Sequence, residues 1–481
     1  MTSLPLSVLV PPSWPLAPRP VYGATISVTT TTDEATNNTT CSLREAIISA
    51  NNNSNSHEDA CTAGSGADTI SLGAFTYTLT ITGQDEDAAA TGDLDITSNI
   101  TIDGAGASST IIQAGTTSSN GIDRVFHIVS GTVQISAVTI RYGIPGGSFA
   151  IGGGIRIGSA TLTLSNCVIS NNSVAGIQNS GTFTISDSLI VSNSSTSSGG
   201  GIANNKTLSV TRSTFSSNSS TSNGGGIFQG QSGTTMTVTN TTFTGNSASN
   251  LGGAVANFVG SATFTNSTFS GNSATYGGGI GAGSGTVNLK NVIVANNTAT
   301  NSGPDCNGTI TSQGYNLIES TSGCTFSSTT GDITGQDPSL ASLADNGGST
   351  QTHRLLPGSV AIDAGTNTDC PATDQRGVSR PVDGGSSDGT ATCDMGAYEA
   401  PGFQSYENTC ATITDAFSGS TNQVCVKGSG FIDSATYRVR LYDGGGNLVT
   451  SFLQNGVASS TLASGLTYDL NRPGFDGEFV Y

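Results

Sequence analysis

Charge is scarce in this chain. Only 10% of its 481 residues are charged, and fifteen basic side chains face thirty-three acidic ones, a formal net charge of −18. Nucleic acid and anionic membranes both require basic surfaces, so neither is expected as a partner. No stretch reaches the ~18 consecutive apolar residues of a transmembrane helix. The nine cysteines contain no Cys-x-x-Cys pair, which argues against zinc-ribbon and thioredoxin-like chemistry. Histidine is almost missing, and the three present, His57, His127 and His353, lie far apart without metal-motif spacing. Between residues 143 and 303 Asp187 is the only acid and there is no histidine, while Arg156, Lys206, Arg212 and Lys290 are scattered. Carboxylate pairs for glycoside hydrolysis, or a base with a cation cradle for uronate elimination, cannot be assembled there.

Glycine is abundant, and its placement is periodic. Gly152-Gly-Gly-Ile155, Gly199-Gly-Gly-Ile202, Gly224-Gly-Gly-Ile227, Gly252-Gly-Ala-Val255 and Gly277-Gly-Gly-Ile280 repeat one motif, with a degenerate copy at Ala175-Gly-Ile177. The steps between the apolar residues are 22, 25, 25, 28 and 25. A fixed period of this size signals a solenoid. Strict polar–apolar alternation inside the repeats, as in Thr161-Leu-Thr-Leu164, Thr182-Phe-Thr-Ile185 and Thr235-Met-Thr-Val238, is strand spacing with one buried face. The fold expected is therefore all-β, a right-handed parallel β-helix over about residues 60–400.

Successive coils should stack like residues on like. Ile169, Ile190, Phe215, Phe243, Phe269 and Val294 form one inward column. Two Asn-rich columns mark corners: the ladder Asn172, Asn193, Asn218, Asn246, Asn272, Asn297, and a second of Asn166, Asn240, Asn266 and Asn291 interrupted by Asp187 and Arg212. Asn tolerates left-handed backbone and its amide can bond along the stack. Turn formation is the expected role, ahead of ligand contact.

The ends of the repeat array read differently. Residues 1–23 are Pro-rich and resemble a degraded export signal. Residues 24–67 form an entry cap, in which Ser42-Leu-Arg-Glu45 is a capping box starting the chain's one convincing helix, with Leu43, Ala46, Ile47 and Ala50 as its apolar stripe. Glu45 is assigned to capping and Arg44 to solvent. Irregular coils follow, with strands at Thr69–Leu72, Thr76–Ile81, Asp95–Ile102, Thr110–Gln113, Arg124–Val129 and Thr132–Ile140. The acidic loop Asp85-Glu-Asp87, with Asp93 and Asp95, matches no calcium motif and is read as solvated. Asp123, Arg124 and His127 are the strongest enzymatic candidates, and a weak set. Residues 304–400 close the array, with Arg376 and Arg380 expected to pair with Asp383, Asp394 or Glu399. Residues 401–481 form a small β-domain of sandwich type, with Asp443-Gly-Gly-Gly446 as a hairpin turn. The chain ends on strand-like Phe479-Val-Tyr481, as one that continues would. Neighbouring cysteines suggest disulfides Cys41–Cys61, Cys306–Cys324, Cys370–Cys393 and Cys410–Cys425 in an oxidising compartment, leaving Cys167 as a buried thiol.

The alternation of Gly-Gly-[Ala/Gly]-Ile with Phe-x-x-Asn resembles the repeats of polymorphic outer-membrane proteins. Cys41-Ser-Leu-Arg-Glu-Ala46, Asp374-Gln-Arg-Gly377 and Cys393-Asp-Met-Gly-Ala-Tyr-Glu399 resemble the entry and closing segments of secreted bacterial β-helix proteins of the CSLREA and choice-of-anchor Q types. The resemblance spans roughly residues 24–400. It implies an extracellular or cell-surface location and a closing passage over the upper end of the helix, and it names no biochemical activity. The sequence thus presents no catalytic, cofactor-binding or metal-ligating constellation. A non-enzymatic structural or adhesive rod is expected, its partners surface glycans or further copies of itself. A pectate-lyase-like enzyme acting on polysaccharide is the alternative.

Overall fold

The computed structural model describes residues 23–401, apart from 55–59, 148–149 and 385–389, and the backbone of six strands beyond them. The chain winds as a parallel β-helix whose coils share one plan. The coil that begins at Ile202 has strands Ile202–Asn204, Thr207–Thr211, Thr214–Ser216 and the short Ser219–Ser220. Each pairs in parallel with its counterpart one coil on: Ile227–Gln229, Thr235–Thr239, Thr242–Thr244 and Ser247–Ala248. Three faces result, here called the glycine-run, hydroxyl and aromatic faces in chain order. The glycine-run and hydroxyl ladders are joined at Cys306–Ser312, which pairs with Ile280–Ala282 at one end and Thr286–Lys290 at the other. The aromatic face is a ladder of eleven short strands.

Alternation on the hydroxyl face sends every second side chain inward, so Leu162, Phe183, Leu208, Met236, Ala262 and Val287 are buried in register. The column from Ile169 to Val294 is in register and fully buried. Within it the rings of Phe215, Phe243 and Phe269 stack at 4.8 and 4.7 Å, the spacing of the backbone ladder itself. Cys167 is buried beside this core, and burial pushes its thiol up to about 11, the state of an inert hydrophobe.

The two asparagine columns do different work. Asn166, Asp187, Arg212, Asn240, Asn266 and Asn291 all have positive φ, between 43° and 53°, and make the corner between the hydroxyl and aromatic faces. At the two positions where Asn is replaced, Arg212 and Asp187 pair across adjacent coils at 2.6 Å. The ladder from Asn172 to Asn297 is not left-handed, contrary to the sequence expectation. The residue before each member turns the corner, from Asn171 at φ 54° to Asn296 at φ 60°. The ladder side chains point inward. Asn218 donates its amide to Asn246 Oδ1 and to the Ile190 carbonyl, both at 2.9 Å, and Asn246 repeats the pattern with Asn272 and Phe215. Asp305 ends the series by accepting from Asn297 at 2.9 Å. A third buried ladder, Asn179–Asn204–Gln229–Asn257, runs under the glycine-run face with amide contacts of 2.7–2.9 Å.

The helix Leu43–Asn52 packs on strands Thr25–Ser27, Asp68–Ser71 and Leu94–Ile96 at the lower end, with its capping box formed. Arg44 is not in solvent. It is fully buried, and its guanidinium donates to Asp33 and to the carbonyls of Ala89, Gly92 and Asp93. Two expected early strands are each split: Leu94–Ile96 turns before Ile100–Asp103, and Thr132–Ser136 turns at Ala137, φ 56°, before Thr139–Arg141.

The closing passage differs in position from the expectation drawn from the resemblance. Residues 338–384 and 390–400 lie along the side of the solenoid, over the aromatic face of its later coils. Thr214 donates to the Gln351 carbonyl, Thr242 to Gln375 Oε1, and Thr268 accepts from the Ala397 N–H. Where the same outward column turns apolar, Ile293 and Leu317 meet Leu355, Met395 and Tyr398. Within the segment Arg376 pairs with Asp374 at 2.7 Å and Arg380 with Glu399 at 3.4 Å. Disulfides join Cys41–Cys61, Cys306–Cys324 and Cys370–Cys393. The expected Cys410–Cys425 bond and the export-like residues 1–22 lie outside the described residues. Beyond Pro401 the strands form two three-stranded antiparallel sheets, with Tyr437–Tyr442 paired to Leu448–Gln454, while the expected turn Asp443-Gly-Gly-Gly446 lies outside the described residues.

Two outcomes follow from the ladders. Asn246→Ala removes the acceptor shared by the Asn218 backbone N–H and side-chain amide, and one donor each to Asn272 Oδ1 and the Phe215 carbonyl, all in the interior, so chemical denaturation should show a loss of about 3 kcal/mol. Asn166→Gly, at a left-handed corner, should change stability by no more than about 0.5 kcal/mol. The second concerns pH. Burial pushes the Asp305 carboxyl up to about 6, against the N–H groups of Asn297 and Ser320 that favour its charged form. Because the folded value is raised, the folded chain holds this proton more tightly than the unfolded one. Its contribution is complete below the unfolded value of about 4 and is lost as pH rises through about 6. Melting curves between pH 4 and pH 7 should therefore decline less steeply for Asp305→Asn than for the wild type.

Candidate functional site

Each glycine-run strand points its middle residue outward, and the register stacks these residues in one column. Asp95 pairs with His127, His127 with Arg156, and Arg156 with Gln178. The column then continues as Ala203, Phe228, Ala256 and Gly281. Ionisable groups thus converge on the first coils of the face and disappear from the later ones.

The loop between Ile81 and Leu94 brings further acids to this column. Its backbone is held from below by Arg44, whose three bonds to Ala89, Gly92 and Asp93 tie the loop to the entry helix. Asp85 and Asp87 are exposed, as expected of a solvated loop. Asp93 and Asp95 are not, being 3% and 0% exposed, which corrects the sequence reading. Asp123, Arg124 and His127 are also buried. His127 Nδ1 lies 3.1 Å from Asp95 Oδ1 and 3.1 Å from Asp87 Oδ1. Arg124 Nη1 stands 3.3 Å from Asp93 Oδ2, a contact without hydrogen-bond geometry, and Arg124 Nη2 stands 4.0 Å from Asp123 Oδ1. Gly92 fits where it does because a Cβ would meet Asp123 Oδ2 at 2.8 Å and the Gly83 carbonyl at 2.5 Å. An open depression of about 470 Å³, lined by Thr82, Gly83, Gln84 and Ile122, adjoins the cluster on that side.

Crowding of carboxyls in a dry place sets their protonation. Burial pushes Asp93 up to about 8, helped by the charge of Asp95 and opposed by Arg124. Burial also raises Asp95, against its hydrogen bond to His127, and raises Asp123. Arg156 is lowered by its own burial and by the charge of Arg124.

Of the three weak candidates, the structure brings Asp123, Arg124 and His127 into one cluster and adds Asp87, Asp93, Asp95 and Arg156 to them. Arg156 is not scattered, and His127 needs no local motif, because coil stacking rather than spacing along the chain supplies its neighbours. A signal was present. Leu94-Asp-Ile96, Phe126-His-Ile128 and Ile155-Arg-Ile157 share an apolar-x-apolar triplet, and aligning the middle residues puts Asp95, His127 and Arg156 in one column. Elsewhere Asp187 is taken by Arg212, and His353, within the lateral segment, bridges the Ala341 carbonyl and Thr244 of the aromatic face.

Arg124 is the cation between two buried carboxyls. Arg124→Met should destabilise the protein by about 3 kcal/mol or more at pH 9, where Asp93 is ionised. The penalty should shrink at pH 6, where Asp93 holds its proton. Urea titrations at the two pH values read both effects.

Two segments of the solenoid, residues 212–229 and 240–257, match the model of the Chlamydia polymorphic membrane protein repeat. They cover two consecutive glycine-run strands with the corners before them, the part of the coil in which Asn ladder and glycine run recur. No curated protein and no solved structure matches the chain. Among the described residues no helix is long and apolar enough to cross a membrane. The solenoid is therefore a parallel β-helix with repeats similar to those of polymorphic membrane proteins.

Proposed function

We propose that this chain is an extracellular or cell-surface rod, non-enzymatic, that makes weak multivalent contacts with glycans or with further copies of itself. The observation that carries the reading is the hydroxyl face. Its outward rows are Thr161/Thr163/Ser165, Thr182/Thr184/Ser186, Thr207/Ser209/Thr211, Thr235/Thr237/Thr239 and Ser261/Thr263/Thr265, all in register and none buried. Rows repeat at the ~4.8 Å of paired strands and columns at ~6.6 Å along each strand. The result is a flat, neutral lattice of hydroxyls, able to donate and accept but not to transfer protons near neutral pH. The lateral segment covers the aromatic face and leaves this one open. Similarity to polymorphic membrane protein repeats supports a surface location, and three disulfides suit an oxidising compartment.

Binding through such a lattice should be weak for one copy and steep in copy number. Monomer and bead-displayed protein are applied to a polysaccharide and cell-wall panel. Retention is expected for beads only, and should be lost in a Thr184→Glu, Thr237→Glu double variant whose melting is unchanged. Release of reducing ends or unsaturated uronate, abolished by Asp123→Asn, would overturn the non-enzymatic reading.

A further inference from the structure

We propose that Asp87, Asp95 and His127 form a binding site for a divalent transition cation of the zinc and manganese class. One oxygen of each carboxylate and one imidazole nitrogen lie within 4.8 Å of one another. The imidazole nitrogen stands 3.1 Å from an oxygen of each carboxylate. Ligands at ~2.1 Å from a tetrahedral ion lie about 3.4 Å apart, so the two distances need to open by only a few tenths of an ångström. The donors are pre-positioned in different degrees. Asp95 and His127 are fixed by strand register on adjacent coils, with side chains 0% and 7% exposed. The second oxygen of Asp95 accepts from the Ala89 N–H at 2.9 Å, which fixes the orientation of the carboxylate as an outer-shell partner does. Asp87, 69% exposed, reaches in from the loop that Arg44 holds, leaving a solvent side for a water ligand.

The donor set selects the ion. One imidazole nitrogen and two carboxylates suit a borderline cation, whereas calcium takes six to eight oxygens. The position also argues for a local purpose. The same outward column accepts Gln178, Ala203 and Ala256 in later coils with the backbone ladder unbroken, so the solenoid itself does not require an Asp–His pair there. This inference does not depend on the adhesive reading, and either can fail while the other stands.

The test uses the whole chain. Titration calorimetry with zinc chloride at pH 7 should show one equivalent bound, and manganese chloride a weaker copy of it. Calcium chloride should bind at least ~10-fold more weakly than zinc. Zinc should raise the melting temperature of the wild type by mass action on the folded state. Asp87→Asn, on the exposed loop, should keep the metal-free melting temperature and weaken zinc at least ~10-fold. His127→Gln should remove the one-equivalent event. No saturable zinc binding by the wild type, calcium as tight as zinc, or zinc binding indifferent to both substitutions would each overturn the proposal.

Discussion

Register between coils is the constraint on which everything else in this protein depends. A parallel stack holds only if each coil returns every residue to the position directly above its predecessor. The backbone ladder supplies the spacing, and the buried amides supply the phase. Asn218 can bond Asn246 and the Ile190 carbonyl together only if its coil is neither over- nor under-turned. Coil lengths of 22 to 28 residues are then tolerated because the extra residues are placed in surface turns. The aromatic stack of Phe215, Phe243 and Phe269 follows this phase and adds dispersion along it.

The same register explains where function can sit. Inward positions are committed to packing or amide ladders, so variation is confined to outward columns and loops. On the hydroxyl face the outward columns stay uniform over many coils, producing a lattice. On the glycine-run face they change identity, from Asp95, His127 and Arg156 to Ala203, Phe228 and Ala256, producing a localised polar site. The site gains its remaining acids from a long loop, and the loop gains its position from Arg44 in the entry helix. An N-terminal cap that covers a bare edge therefore also orients the ionisable groups of the loop beside it.

Much of this architecture was legible in the sequence because it is periodic. Glycine runs, alternating Thr strands and Phe-x-x-Asn corners each repeat, and repetition reveals register without a structure. The inner column from Ile169 to Val294, the capping box at Ser42 and the three described disulfides are of this kind, local or repeated. What was not legible is aperiodic. Arg44 looked solvent-bound because its partners, Ala89 to Asp93, are some 45–49 residues away. Asp93 and Asp95 looked like part of a solvated loop because burial there depends on stacking against Arg124 and His127. The two Asn columns looked alike because both sit at corners, yet only one has left-handed backbone, the other having passed that strain to its preceding residue.

The lateral segment shows the same limit from the other side. Thr214, Thr242 and Thr268 read as wet positions of an alternating strand, and by composition they match the outward rows of the hydroxyl face. What separates them is a second chain segment carrying complementary groups: the Gln351 carbonyl, Gln375 and the Ala397 N–H. Hydroxyls can be satisfied by water or by such a partner at similar free energy, so an outward Thr carries no signal of which it meets. The apolar continuation does carry one. Ile293 and Leu317 occupy the same outward column, and exposing two such side chains side by side would forfeit about 1.5–3 kcal/mol each, so a cover over that end of the face is required. The change from Thr to Ile and Leu within one column marks where the covering chain must lie, and the polar members below it are covered because the segment continues down the same face.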